Sequence, residues 1–157
     1  EFKVGCFKDS VLMPIQNFRD IPSALSYIEH LKDKTVLPVC TGGVRCEKAS
    51  GLLVREGFKD VYQLYGGIVN YMEKFPAQEF KGTLYVFDKR ITMDFDPEDR
   101  HEVIGRCDKC GSDTEMFANC RNKQCNKHIL CCSECRMDDG TVFCSQQCEE
   151  LVLNKTL

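Results

Sequence analysis

Val36, Leu37 and Val39 form a short apolar run, and between Glu47 and Glu56 the apolar positions Ala49, Leu52 and Leu53 recur at helical spacing. A buried strand followed by a helix is predicted, with Cys40 to Cys46 in the turn between them. The same alternation continues on both sides. Ser10 to Ile15 reads as a strand, Ser23 as the cap of a helix carrying Leu25, Ile28 and Leu31, and Thr35 to Val39 as the strand leading into the turn. Downstream, Asp60 to Leu64 alternates like a strand, Gly66-Gly67 turns into a short helix with Ile68, Tyr71 and Met72, and Leu84 to Asp88 reads as one more strand. Such order predicts the α/β class: a largely parallel sheet with flanking helices. Ligands then bind beyond the carboxyl ends of the strands, where Cys40 lies.

The turn itself carries the candidate chemistry. Cys40 is followed by Thr41, Gly42, Gly43, Val44 and Arg45, just ahead of a helix start. Backbone N–H groups at a helix N-terminus favour negative charge, so this position suits a thiolate or an anion bound beside it. Gly42 and Gly43 are expected to let the loop curl with its N–H groups inward, where a side chain would obstruct them. Cys40 is the candidate nucleophile, and Arg45 closes the loop and offsets negative charge. Cys46 reads either as a resolving thiol for an oxidised Cys40 or as a passive neighbour. Lys48 reads as a solvated lysine or a phosphate contact, and Asp88 with Arg90 as an ion pair at a strand end or a substrate contact.

Twelve cysteines are distributed unevenly: three lie at positions 6, 40 and 46, and nine crowd between Cys107 and Cys148. Eight of the nine form pairs, Cys107 with Cys110, Cys120 with Cys125, Cys132 with Cys135, and Cys144 with Cys148. Two four-thiolate sites suit two structural Zn²⁺ ions, with closed shells that leave no position for a catalytic water. Interleaved pairing, first with third and second with fourth, leaves intervening segments of 21 and 18 residues and is favoured over sequential pairing. Cys131 and His128 are surplus candidates, and disulfides are the alternative to metal. Ser145 is a plausible N-cap for a last helix, with Leu151 and Val152 facing the tail's small core. So few large apolar side chains accompany these thiols that the metal is expected to supply much of the segment's stability.

Length and charge narrow the picture. The 157 residues accommodate one ordinary domain and one small one. With 21 basic and 24 acidic residues, generic neutralisation of nucleic-acid phosphate is not the role of the whole surface, although a local patch can bind RNA. Eight thiolates around two Zn²⁺ would add about −4 to that balance. No apolar stretch reaches the roughly 20 residues that span a bilayer, and the first residues lack a secretory pattern, so a cytoplasmic, non-membrane protein is expected. The absence of an initiating Met suggests that residue 1 is not the native start. The expected division is 1–93 for the α/β domain, 94–105 for an acidic linker containing Pro97, and 106–157 for the cysteine-rich domain.

The Cys40 to Lys48 segment resembles the active-site loop of rhodanese domains, and its Cys-Thr-Gly-Gly-Val-Arg-Cys-Glu-Lys string resembles the subfamily of tRNA uridine 5-hydroxylases. Glu1 to Phe7, Gln63 to Ile68 with Tyr71, and the Val86-Phe87-Asp88 stretch with Arg90 extend the likeness. Cys6 stands where many relatives have His. The family's first strands should lie before Glu1, so the resemblance implies an N-terminally truncated rhodanese-like fold joined to the cysteine-rich zinc-binding domain. It further implies hydroxylation of the wobble uridine in tRNA, with molecular oxygen as cosubstrate and tRNA as the partner of the parent protein. A rhodanese-type sulfurtransferase working through a Cys40 persulfide, and a non-catalytic zinc-dependent protein- or RNA-binding module, are the alternatives.

Overall fold

The computed structural model describes residues 1–15, 17–76, 78–96, 98 and 101–154. In chain order the elements are β1 (Gly5–Phe7), α1 (Ile21–Ala24), β2 (Thr35–Val36), α2 (Val44–Arg55), β3 (Asp60–Val61), α3 (Gly67–Lys74), β4 (Phe80–Gly82), β5 (Leu84–Tyr85), β6 (Thr92–Met93), β7 (Phe117–Asn119), β8 (His128–Leu130) and α4 (Gln146–Leu153). The strands associate in two-stranded pairs, β1 with β4, β2 with β3, β5 with β6 and β7 with β8. Two compact units result: one takes residues 7–80 and the described part of 95–99, the other residues 1–6, 81–94 and the described part of 100–157. The contacts thus divide the chain differently from the expected 1–93, 94–105 and 106–157. Residues 81–94 pack with the cysteine-rich segment because Thr83 donates its N–H to the Val4 carbonyl and its hydroxyl to Glu115.

In the first unit, β2 and β3 are parallel, with Thr35 opposite Asp60 and Val36 opposite Val61, and α2 forms the crossover between them. α2 buries Cys46, Ala49, Ser50 and Leu53, so of the expected Ala49, Leu52 and Leu53 two are fully buried while Leu52 lies at the edge of the stripe, partly buried. Its end is set by Gly57 at φ +89°, with Gly57 N–H bonded to the Val54 carbonyl and Phe58 N–H to the Leu53 carbonyl. This is a Schellman cap, and it delivers Phe58 onto Leu53 and Ile28 in the unit's apolar cluster. A second contact set joins Phe7 edge-on to Tyr71 (4.9 Å) and to Phe80 (5.2 Å), anchoring α3.

Several expectations need correction here. Ser10 to Ile15 is not a strand: Pro14 interrupts it, and Val11 and Leu12 are exposed. The helix expected at Ser23 begins at Ile21 with Pro22 in its first turn and continues as a 3-10 helix over Leu25–Leu31. Ser23 lies inside this turn, donating to the Asp20 carbonyl. The strands expected over 35–39, 60–64 and 84–88 each pair over only two residues.

In the cysteine-rich unit β5 and β6 are antiparallel, as are β7 and β8, with Phe117 opposite Leu130 and Asn119 opposite His128. Its core is made largely of sulfur-bearing residues: Cys107, Ile129, Cys131, Cys132 and Val142 in one cluster, and Cys120, Phe143 and Cys148 in another. Ser145 caps α4, its Oγ accepting from the Cys148 N–H at 3.3 Å.

Candidate active-site loop and metal centres

Cys40 sits where β2 gives way to α2, buried at 8% exposure. Gly43 is the N-cap of α2 with φ +83°, a left-handed conformation that glycine adopts without penalty. That reversal turns the N–H groups of Gly43, Arg45 and Cys46 onto the Cys40 sulfur. Burial alone would push the Cys40 thiol up. The Cys46 side chain and these three N–H groups override it, and the net displacement is downward. Cys46 moves the other way, to about 12, because it is buried and hydrogen-bonded to Cys40, with the Arg45 charge a smaller opposing influence. The two thiols are thus displaced in opposite directions, with the Cys46 S–H donating to the Cys40 sulfur.

The loop is held from below by α3. Ile68 N–H donates to the Cys40 carbonyl and Val69 N–H to the Thr41 carbonyl, both at 3.0 Å. Two of the helix's otherwise orphaned first-turn donors are satisfied by the loop itself. Gly67 makes the approach possible: a Cβ there would lie 2.4 Å from Gly43 N, 2.6 Å from Gly42 C and 2.6 Å from Thr41 O. Gly42, expected to need its lack of a side chain, has open space and no positive φ. The signal for Gly67 was its place in Gly66-Gly67-Ile68, but its partner across the fold was not legible.

The eight paired cysteines come together as Cys107, Cys110, Cys132 and Cys135, and as Cys120, Cys125, Cys144 and Cys148, with the sulfurs of each group within 4.8 Å of one another. These groups join the first pair with the third and the second with the fourth. Sulfur separations of 3.5 Å for Cys110–Cys132, 3.5 Å for Cys125–Cys144 and 3.7 Å for Cys144–Cys148 approach the edge of about 3.8 Å that a tetrahedron with metal–sulfur bonds of about 2.3 Å requires. Outer donors are also present at 3.5 Å: Cys132 N–H to Cys107, Cys144 N–H to Cys120, and the buried Asn122 amide to Cys148. Such donors suit sulfurs carrying negative charge. Both groups can hold a metal ion. Cys131 belongs instead to the apolar core at 0% exposure, and His128 stacks on Phe117 at 4.7 Å.

Asp88 and Arg90 form an exposed ion pair in the β5–β6 connection, with the Arg90 guanidinium lowering the Asp88 carboxyl to about 2. No helix among the described residues is long and apolar enough to cross a membrane.

The chain, with its cysteine between a parallel strand and a glycine-capped helix and a sulfur-rich unit after it, matches two family models: the rhodanese-like domain over residues 1–74 and the rhodanase C-terminal module over residues 81–149. The chain thus carries a rhodanese-like domain followed by a rhodanase C-terminal module. It is similar to the tRNA uridine(34) hydroxylase of Cytophaga hutchinsonii, 41% identical over 95% of this chain and 47% of the relative. Proteins of the same name from an Arthrobacter species (42% identical, 94% of this chain, 50% of the relative) and Chlamydia caviae (38%, 96% and 46%) are likewise similar. The chain spans about half the length of these curated relatives.

Proposed function

We propose that the parent protein hydroxylates C5 of the wobble uridine in tRNA, with Cys40 as the nucleophile. The observation that carries this reading is the Cys40 sulfur, on which the Cys46 side chain and the N–H groups of Cys46, Arg45 and Gly43 converge and lower its pKa against the effect of burial, in a chain whose relatives bear the name tRNA uridine(34) hydroxylase. The thiolate adds to C6 of uracil, forming the S–C6 bond, and the C5–C6 π pair moves into an enolate across C5, C4 and O4. The enolate carbon gives its pair to an oxygen atom, forming the C5–O bond. Loss of the C5 proton and departure of the thiolate from C6 restore the ring double bond. With dioxygen as oxidant, the second oxygen leaves as water and consumes two protons and two electrons from an external reductant of the thiol class. N–H groups of the Thr41 to Arg45 loop and the Arg45 charge receive the negative charge between these steps.

Zinc is the ion best suited to the two thiolate tetrahedra, and its role is structural, because four sulfurs complete each shell. The C-terminal unit would be folded by the metal rather than by its small core. The cytoplasm, where thiols stay reduced and tRNA is present, is the compartment this chemistry needs.

Nucleoside mass spectrometry of tRNA from cells lacking the gene tests the reading. Loss of 5-hydroxyuridine derivatives, restored by the wild-type gene and not by Cys40→Ser, is expected. Unchanged 5-hydroxyuridine, with a sulfur adduct on Cys40 after thiosulfate treatment and cyanide-dependent turnover, would replace hydroxylation by sulfur transfer.

A further inference from the structure

Tyr65 stands beside the Cys40 loop with 88% of its surface exposed, and Val44, on the other side of the loop's glycine cap, is 74% exposed. The two are neighbours through the backbone: a Cβ at Gly43 would lie 3.6 Å from the Leu64 carbonyl oxygen and 3.7 Å from the Gly66 carbonyl carbon, the residues flanking Tyr65. An isolated exposed aromatic residue is ordinary. This one is presented by a fixed backbone. The Asn70 amide donates to the Tyr65 carbonyl at 2.9 Å, Gly67 N–H donates to the Leu64 carbonyl at 3.0 Å, and Gly66 and Gly67 both turn through positive φ. Among the described residues no other aromatic ring packs on the Tyr65 side chain.

The chemistry of the buried sulfur gives the exposed ring a use. Cys40 lies within the loop, so a base must leave its stack to bring C6 to the sulfur, and extrusion costs a few kcal/mol. It also uncovers the face of the neighbouring base. A rigid aromatic surface at the rim replaces the lost stacking without selecting among bases, because each presents a π-face. Of the other tyrosines of this segment, Tyr71 is half-buried against Phe7 and Phe75, and Tyr62, at the end of β3, is less exposed at 58%.

We propose that Tyr65, with Val44 beside it, is the stacking platform for the unpaired RNA base adjacent to the target uridine. This rests on the tRNA reading of the Cys40 site. Tyr65 contributes no group to the reaction, so it acts on substrate affinity before and during the chemical step alike. Loss of that contact raises KM and leaves kcat unchanged.

The test uses the full-length protein and an anticodon stem–loop oligoribonucleotide. Tyr65→Ala is expected to raise KM about 5- to 150-fold, the equivalent of one base–aromatic stack, with kcat within about twofold and an unchanged denaturation midpoint; Tyr65→Phe retains wild-type values. Irradiation of the complex carrying 5-iodouridine next to the target should attach the RNA to the Tyr65 peptide. Wild-type hydroxylation with unaltered Tyr65→Ala kinetics, or crosslinks confined to other peptides, overturns the platform while leaving the hydroxylase reading intact. Equal loss in Tyr65→Ala and Tyr65→Phe assigns the effect to the hydroxyl and also overturns it. Failure of the wild-type protein to bind or hydroxylate the oligonucleotide refutes both.

Discussion

Replacing Gly67 by Ala perturbs the Cys40 loop without touching a reactive group. The new methyl carbon would meet three backbone atoms, of Gly43, Gly42 and Thr41, at 2.4 to 2.6 Å, and none of them can rotate aside. A left-handed backbone costs an L-residue about 1–2 kcal/mol, and forcing a methyl group into filled space about 1–3 kcal/mol. The sum, about 2–5 kcal/mol, is a large part of the 5–15 kcal/mol or so that holds a typical domain folded. Relief requires the loop to lift from α3, which breaks the Ile68–Cys40 and Val69–Thr41 backbone bonds. The N–H groups of Gly43, Arg45 and Cys46 then lose their aim at the sulfur, and the Cys40 pKa climbs toward that of a free thiol. Urea unfolding reads the first effect. The pH dependence of Cys40 alkylation by iodoacetamide, followed by mass spectrometry, reads the second. Gly42→Ala is the matched comparison, with nothing within 4 Å of its Cβ and an expected change in stability within about 0.5 kcal/mol. A Gly67→Ala protein with the wild-type midpoint and the wild-type alkylation profile would show that α3 does not hold the loop.

Further outcomes are expected. In the wild type, Cys40 should alkylate with an inflection below the usual thiol range while Cys46 stays unreactive, and Cys46→Ala should move that inflection upward by removing the S–H donor; a profile unaffected by Cys46→Ala contradicts the pairing. Because the folded pKa of Cys40 is depressed, its contribution to stability is present above the unfolded thiol pKa and is lost as pH falls through the folded value. Strong chelation should release two metal equivalents and unfold the unit around β7, β8 and α4, so a chelated protein retaining its amide protection there is incompatible with folding by metal. His101 bridges Asp94 (2.8 Å) and Glu115 (3.1 Å); burial opposes its charge, yet the two carboxylates raise its pKa. Its stabilisation is thus full below the unfolded pKa of about 6.5 and fades as pH rises through the folded value. His101→Gln should cost about 1–2 kcal/mol at pH 5 and less at pH 9, and a pH-independent difference in urea unfolding counts against the charged bridge.

Local chemistry was legible where a few neighbouring residues determine it. Cys40 at the strand-to-helix turn, the helical stripe through Ala49 and Leu53, and the Ser145 cap all follow from spacing within one or two turns of chain. The 10–15 strand failed for a related reason: an apolar run was weighed above Pro14, which removes a backbone donor. Strand lengths were overestimated at Thr35 to Val39 and Asp60 to Leu64, where pairing covers only Thr35–Val36 and Asp60–Val61, because the extent of pairing is not a property of either segment alone.

The eight cysteine positions and their grouping in pairs are written in the order of residues, since two sulfurs on one short turn need only the residues between them. So is the place of Cys40 in a turn just ahead of a helix start. Which pair joins which, and which of the Cys40 and Cys46 thiols is lowered and which raised in pKa, were decided only when the chain folded. Those outcomes depend on distances between segments: Cys110 reaching Cys132 across 22 positions, and α3 meeting the Cys40 loop through the single space at Gly67 that lacks a side chain. Spacing along a chain sets what neighbours can do together, while contact between distant segments sets electrostatic environment, because a charge responds to every dipole near it in space.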